Sequence, residues 1–183
     1  MKKTVLTFGL IAGLIISVLM DGSLLLAGKI GSGHSMALGY TIMVASFLLI
    51  YFGIRSYRDN ILAGQISFGR AFTCGLLIAL ITTVCYVVTW EVLYFKFMPH
   101  FMDGYFAAQI HKVQSSGLDP ASTSAQVAAI ERSQQLYQNP LVNMAYTVME
   151  PLPVGLIMTL ISAAILRRKA PAEPSAAPAV IIP

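Results

Sequence analysis

Four long apolar runs constrain the fold of this chain more than any other feature of its sequence. An α-helix needs about 20 mostly apolar residues to cross the hydrocarbon layer of a bilayer. Four segments meet this requirement, at residues 4–27, 36–54, 71–95 and 141–166. The sequence therefore predicts an all-α, polytopic membrane protein with four transmembrane helices.

The composition agrees with this prediction and excludes other classes of protein. Hydrophobic residues make up 56% of the 183 residues and charged residues only 11%, whereas a typical soluble chain carries about 25% charged residues. A soluble domain of this size exposes about a third of its surface, so a soluble enzyme, a disordered regulator and a disulfide-stapled secreted module are excluded. No basic face large enough for nucleic acid is present. The expected partner is the lipid bilayer.

We predict one four-helix transmembrane domain over residues 1–169 and a disordered Ala/Pro-rich tail over residues 170–183. The first span is longer than the 7–15 apolar residues of a signal peptide, and no A-x-A-like site follows it, so we interpret it as uncleaved. Cytoplasmic flanks carry the excess of Lys and Arg. Eight of the 12 basic residues fall on the side that holds both termini, namely Lys2, Lys3, Arg55, Arg58, Arg70, Arg167, Arg168 and Lys169. Both termini are therefore expected in the cytoplasm.

The fourth span is expected to contain a break. Its uninterrupted apolar run, residues 152–166, is shorter than the roughly 20 residues that a spanning helix needs, so it must include the turns before it. Pro151 and Pro153 have no N–H to donate to the carbonyls of Thr147 and Met149. We predict that two free carbonyl acceptors and the carboxylate of Glu150 lie together at membrane depth.

Three acids lie within the predicted spans: Asp21, Glu91 and Glu150. Ionisable residues inside a membrane are costly and are functional candidates by default, and helical rise places all three in the outer half. Asp21 continues a stripe of small residues, spaced by four, that begins at Gly9, so we expect it to face the bundle.

Two interpretations of these acids stay open. Glu150 with Pro151 and Pro153 is either a proline kink with a protonated or hydrogen-bonded glutamate near the surface, or a site for a cation, a proton or a substrate. Glu91 either reaches water or pairs with Lys96 or Lys29, or it shares one cavity with Glu150 as a carboxylate pair.

The long loop between the third and fourth spans, residues 96–140, predicts a helical hairpin on the outer face. Asp103 is expected to cap a helix that ends at Gly117, and Asp119 followed by Pro120 gives a cap and a first-turn proline for a second helix. The hairpin is either a structural lid or a surface that binds a partner or gathers substrate.

The short loop between the second and third spans carries a dense motif, formed by Tyr57, Arg58, Asp59, Ser67, Phe68, Gly69 and Arg70. Arginines at headgroup depth attract anionic lipid by about 1 kcal/mol each. Ser67 is a predicted N-cap of the third span, and Phe68 is an expected interfacial anchor. We interpret the motif as a loop that sets topology and contacts lipid.

On this motif the chain resembles a family of bacterial membrane proteins known as domain of unknown function four-one-nine-nine. Further matching segments are residues 66–72, 116–120, 139–140, Glu150 with residues 153–155, and the basic stop at residues 167–169. The resemblance covers roughly residues 1–169. It implies a four-span bacterial membrane protein, which we expect in the cytoplasmic (inner) membrane, and it implies no activity.

The sequence shows no catalytic, nucleotide-binding, cofactor-binding or metal-binding motif. Our leading hypothesis is therefore a non-enzymatic accessory or assembly protein, whose partner is another membrane protein or a second copy of the chain. A small transporter or ion-coupled carrier that uses the intramembrane carboxylates is the first alternative. A membrane-embedded enzyme acting on lipid-linked substrates is the second.

Overall fold

The computed structural model describes residues 1–30 and 32–168, with side chains described outside residues 25–36. In order, these residues form α1 (Lys2–Ile30), α2 (Ser32–Ile61), α3 (Phe68–Val92), a π-helical turn (Leu93–Phe97), α4 (Asp103–Gln114), α5 (Pro120–Tyr137), α6 (Pro140–Val148) and α7 (Pro151–Leu166). Lys169 and the predicted tail over residues 170–183 lie outside the described residues.

Four helical segments are long and apolar enough to cross a membrane, namely Lys2–Leu24, Ala37–Ile61, Phe68–Phe97 and Pro140–Leu166. The predicted all-α, four-span architecture is thereby confirmed. α1 and α2 extend beyond the bounds of the apolar runs, to Ile30 and Ile61. Hydropathy marks where the hydrocarbon ends, whereas a helix already formed adds further residues at little cost.

The four spans form a bundle with α1 and α7 at opposite corners. We call the end of the bundle that carries the α2–α3 loop its inner end, and the end that carries the α4–α5 hairpin its outer end. α1 packs on α2 and α3, α7 packs on the same two helices, and α2 touches α3 across the diagonal, while the described residues of α1 make no contact with α7. Side chains on α1 and α7 therefore face different sides of the bundle.

The small-residue stripe of α1 packs closely on another span, as its spacing predicts, and that span is α3. A Cβ atom on Gly9 would lie 2.9 Å from Cβ of Ile81, and one on Gly13 would lie 2.6 Å from Sγ of Cys85. One turn further out, the hydroxyls of Ser17 and Thr89 are 2.8 Å apart. Because Gly9 and Gly13 have no side chain, the backbones of α1 and α3 approach closely, which is the usual role of such a stripe in membranes.

Large side chains fill the middle and the inner part of the bundle. Phe47, Ile50 and Ile54 of α2 and Ile78 of α3 are fully buried. A Cβ atom on Gly155 of α7 would lie 3.1 Å from both Ala79 and Phe47, so α7 fits closely against this layer. The core is dense on the side that carries the motif of the α2–α3 loop.

The helical hairpin between the third and fourth spans is present as α4 packed on α5. Asp119 caps α5 as predicted, since its Oδ1 accepts the N–H groups of Ala121 and Ser122, both at 3.0 Å. The prediction that Asp103 caps α4 is wrong. Asp103 is the first residue of α4 rather than its cap, and its carboxylate binds His100 Nδ1 at 2.9 Å and Gln134 Nε2 at 3.3 Å instead.

Candidate functional site

The fourth span is broken where the sequence predicts it. α6 ends at Val148 and α7 begins at Pro151. The carbonyl of Thr147, expected to be free because Pro151 cannot donate to it, accepts the N–H of Glu150 at 3.4 Å instead. A tighter turn closed by the residue before the proline satisfies this acceptor, so only part of the predicted cluster of free polar groups forms.

The break changes which helix the outer half of this span touches. α7 packs against both α2 and α3, whereas α6 packs against α3 and α5, and no contact joins the described residues of α6 and α2. The outer half of the span thus bends away from α2 towards the hairpin. The junction between α6 and α7 lies at the edge of the bundle.

Glu150 lies at this junction and is exposed. Its Oε2 accepts a hydrogen bond of 2.8 Å from the hydroxyl of Tyr86 on α3. Tyr86 is buried, with 8% of its surface exposed. A buried phenol thus holds one oxygen of the carboxylate, and the rest of the carboxylate faces outward.

Helical rise gives the depth of this pair in a membrane. Leu166 precedes the first charged residue after the span, so it marks the inner edge of the hydrocarbon layer. Fifteen rises from Leu166 to Pro151 cover about 22 Å of a layer about 30 Å thick. Glu150 therefore lies some 6 Å beneath the outer edge of the hydrocarbon layer.

Glu150 is not paired with a cation in the part of the chain that the structure describes. The ion pairs found there join Asp59 to Arg55 and Arg58, and His100 to Asp103. A carboxylate at the centre of a bilayer costs about 2.5–3.5 kcal/mol, and such groups usually pair with one another or with cations. The carboxylate of Glu150 thus has a hydrogen bond from Tyr86 but no ion pair among the described residues.

The structure does not bring the three acids together. Asp21 is exposed, so the expectation that it faces the bundle is wrong. Each step of four residues turns a helix by about 40°. The stripe that starts at Gly9 on the α3-facing side has therefore turned by about 120° at Asp21, and Met20, 7% exposed, takes the inward position.

Glu91 lies five residues after Tyr86, which turns it by about 140° around α3, away from the side that holds Glu150. It is half-buried. Its Oε1 is buried without a hydrogen-bond partner, and Glu91 is absent from the ion pairs found among the described side chains. The geometry favours neither the predicted pair with Lys96 nor a carboxylate pair with Glu150. Lys29, the other predicted partner, lies outside the described side chains.

A buried hydrogen-bond network lies one to two turns outward from Glu150. Asn143 of α6 is fully buried. Its Oδ1 accepts the indole N–H of Trp90 at 3.0 Å and the hydroxyl of Thr147 at 3.2 Å, and its Nδ2 donates to the carbonyl of Tyr137 at 3.2 Å. This amide ties α3, the end of α5 and α6 to one another.

Aromatic rings surround this network and join the spans to the hairpin. Tyr94 meets Trp90 and Tyr137 at ring centroid distances of 5.9 and 5.4 Å, and Tyr137 meets Phe106 of α4 at 6.2 Å. Burial raises the pKa of the Tyr137 phenol to about 12. The hairpin is therefore packed onto the outer end of the bundle through aromatic contacts.

Tyr86 and Asn143 were not among the site residues that the sequence predicted. The sequence did contain one usable signal, because Asn143 is an amide inside an apolar segment and lies four residues before Thr147. Tyr86 carries no such signal, since it looks like an ordinary aromatic residue of the outer interface.

The motif of the α2–α3 loop holds the end of α7 through hydrogen bonds. Arg58 donates two hydrogen bonds to Asp59, of 2.6 and 3.1 Å, and a third of 3.3 Å to the carbonyl of Leu166. Ile66 and Arg168 exchange backbone hydrogen bonds of 3.1 and 2.9 Å. Only 15% of the Arg58 side chain is exposed, so this arginine holds the fold together rather than meeting lipid.

The other motif residues shape the turn and the start of α3. Tyr57 packs into the core with 9% of its surface exposed. The hydroxyl of Ser67 accepts the N–H of Arg70 at 3.4 Å, which confirms the predicted N-cap of α3. Phe68, Gly69 and Arg70 are exposed.

No group of three His, Cys, Asp or Glu side chains that could hold a metal ion occurs among the side chains described. The surface grooves are shallow. One lies between α4 and α5 beside Tyr105 and Ile130, and another lies along α2 beside Thr41 and Ala45. Glu150 lines neither groove.

These features define a four-span membrane protein with a carboxylate–phenol pair at the edge of its outer half. The family described as "Protein of unknown function (DUF4199)" matches residues 7–168. Since the match covers most of the chain, the protein belongs to this family, as the resemblance of its motifs implied. No curated protein and no solved structure matches it.

Proposed function

We propose that this protein is a non-enzymatic accessory or assembly protein of a bacterial inner membrane, and that it docks a transmembrane helix of a partner beside Glu150. The observation that carries the proposal is the position of Glu150, which is exposed at the edge of the bundle, bonded to Tyr86 and without a cation among the described residues. We call the exposed surface formed by Tyr146, Met149, Glu150 and Ile157 the outer flank.

The chemistry of the outer flank suits a helix that carries a lysine or an arginine. Tyr146, Met149 and Ile157 are 56%, 67% and 55% exposed, and they surround the acid with apolar surface. In a membrane, helices associate through packing and through polar groups that find partners across the interface. A cation on the partner would neutralise Glu150, and the helix that carries it would cover the apolar surface.

The distribution of charge supports the proposed orientation. Arg55, Arg70, Arg167 and Arg168 lie at the end of the bundle where the α2–α3 loop meets the end of α7, and all four are exposed. The positive-inside rule assigns such an end to the cytoplasm. Both termini then lie in the cytoplasm, and the outer flank and the hairpin lie towards the opposite side.

Site-specific photo-crosslinking in native membranes tests this function. A photoreactive phenylalanine analogue replaces Met149 on the outer flank, and in a control it replaces Leu14 on α1, which is equally exposed at 66%. We expect a discrete adduct from position 149, weakened by the second substitution Glu150→Gln, and no such adduct from position 14. An adduct of twice the protein mass would identify a second copy as the partner. Equal labelling at both positions, or an adduct indifferent to Glu150, would refute the proposal.

An ion-coupled carrier is the second candidate, favoured by one specific observation. The buried hydroxyls of Ser46, Thr83 and Thr159 have no hydrogen-bond partner. They lie inward from the helix break, where a polar path from Glu150 would have to run. Proton or sodium flux into proteoliposomes that is lost in Glu150→Gln and in Thr83→Val would favour the carrier. Flux that matches protein-free liposomes would reject it.

A further inference from the structure

The end of α7 presents two arginines that its own fold does not use. The Ile66–Arg168 backbone pair fixes this segment against the α2–α3 loop, and Arg58 already donates to the carbonyl of Leu166. Arg167 and Arg168 are therefore not needed to satisfy the carbonyls at the end of their helix. Both residues are exposed.

Among the described residues, the acid at this end of the bundle is Asp59, and it does not compete for these two guanidinium groups. Asp59 is engaged by Arg58 at 2.6 Å and by Arg55 at 3.6 Å. Among the described side chains, Arg167 and Arg168 take part in no ion pair. The pair thus presents two positive charges that no described acid pairs with.

An aromatic surface lies beside the two arginines. The rings of Phe68 and Phe72 are stacked, with centroids 6.1 Å apart and an interplanar angle of 18°. α3 and α7 run antiparallel, since Gly75 faces Thr159 and Ala79 faces Gly155. In this register Phe68 lies at the same height in the bundle as Leu166. The aromatic surface therefore begins at the level of the two arginines.

We propose that Arg167 and Arg168, with Phe68 and Phe72, form a binding surface for an anionic phospholipid of the leaflet at this end. Guanidinium groups bind phosphate oxygens in pairs. The exposed ring of Phe68, supported by the half-buried ring of Phe72, offers an apolar surface to the first part of an acyl chain. The occupant is a lipid rather than a soluble phosphate, because the rings lie at the edge of the hydrocarbon layer directly below the charges. This surface is separate from the outer flank and does not depend on the proposed docking there.

Native mass spectrometry of the full chain in detergent tests the proposal with phosphatidylglycerol and phosphatidylcholine as probes. The test variant is Arg167→Gln with Arg168→Gln. The matched control is Lys2→Gln with Lys3→Gln, which removes the same charge at the same end but on α1, a helix that does not contact α7 among the described residues. We expect the preference for phosphatidylglycerol to fall about fivefold for each arginine removed, and to be nearly unchanged in the control.

Two outcomes would overturn the proposal. If the arginine variant keeps the wild-type preference, these residues bind no lipid. If the control loses as much as the arginine variant, the preference is a general effect of surface charge. Should the glutamine variant fail to fold, Arg167→Lys with Arg168→Lys keeps the charge without paired donors, and we expect an intermediate preference. Competition by excess glycerol phosphate should leave the bound lipid in place, and displacement by it would show a soluble-phosphate site instead.

Discussion

Replacing Asn143 by leucine should loosen the joint between the outer hairpin and the bundle. The substitution keeps the approximate volume of the side chain but removes one acceptor and one donor. The indole N–H of Trp90 and the carbonyl of Tyr137 then lose partners at 3.0 and 3.2 Å, and Asn143 is fully buried, so little water reaches them.

The structure sets the size of the effect. A hydrogen bond between helices in a membrane contributes about 0.6 kcal/mol on average, whereas a buried polar group left without a partner costs about 1–3 kcal/mol. The second term dominates here because two groups in a packed aromatic layer lose their partners. We expect Asn143→Leu to lower the free energy of unfolding by about 2–4 kcal/mol.

The protein carries its own reporter for this measurement. Trp90 is the only tryptophan of the chain, and its indole donates to Asn143, so its fluorescence reports both the local change and the unfolding transition. The assay is unfolding in mixed micelles with increasing denaturing detergent. Asn60→Leu is the control, because Asn60 is exposed and bonds only to Ser56 at 3.2 Å. Unfolding of Asn143→Leu within about 0.5 kcal/mol of the control, with unchanged Trp90 emission, would show that this hydrogen-bond network does not stabilise the joint.

Three further predictions follow from other contacts. Arg58→Ala removes the donor to the Leu166 carbonyl and one partner of Asp59. Unfolding should therefore become easier by about 1–3 kcal/mol, and hydrogen exchange at the end of α7 should speed up. Exchange as slow as in the wild type would contradict a role of Arg58 in holding α7. Gly75→Ala places a Cβ atom 2.9 Å from side chains of α2 and α7, whereas the added Cβ atom of Gly39→Ala meets nothing within 4 Å. Only Gly75→Ala should therefore destabilise the protein, by about 1–3 kcal/mol. Equal stability of the two variants would contradict this packing. Burial raises the pKa of Tyr137 to about 12 from roughly 10 in an unfolded chain, so its contribution to stability is complete below pH 10 and is lost as the pH rises towards 12. The difference in phenolate absorbance between wild type and Tyr137→Phe should appear near pH 12. Its appearance near pH 10 would show that the phenol is exposed.

The sequence predicted those parts of the fold that depend on apolar length and on backbone chemistry. Four apolar runs required four spans, and Pro151 and Pro153 required the break between α6 and α7 because they lack N–H groups. Asp119 and Ser67 were identified as caps because a short polar side chain before a helix has few other roles. These features are local, so no knowledge of tertiary contacts was needed.

The candidate site was harder to predict because it depends on which faces of the helices meet. The small-residue stripe of α1 faces the bundle as expected, but at Asp21 it has turned too far to bury that acid. Tyr86 reaches Glu150 because α3 and α7 are antiparallel in a particular register, which no local pattern specifies. The bend of α6 towards the hairpin, which leaves Glu150 at the edge of the bundle, likewise depends on contacts between distant segments.

The proposed docking of a partner helix requires that Glu150 opens sideways to the lipid rather than into a path through the bundle. A nitroxide spin label at position 150, in protein reconstituted into bilayers, tests it directly through collision rates with oxygen, which concentrates in lipid, and with a water-soluble nickel complex. Labels at the exposed residues Leu160 of α7 and Arg132 of the hairpin give the lipid and water references. We predict that position 150 resembles Leu160, with oxygen collisions in excess. An excess of nickel collisions, as at Arg132, would place Glu150 in an aqueous path and contradict the account.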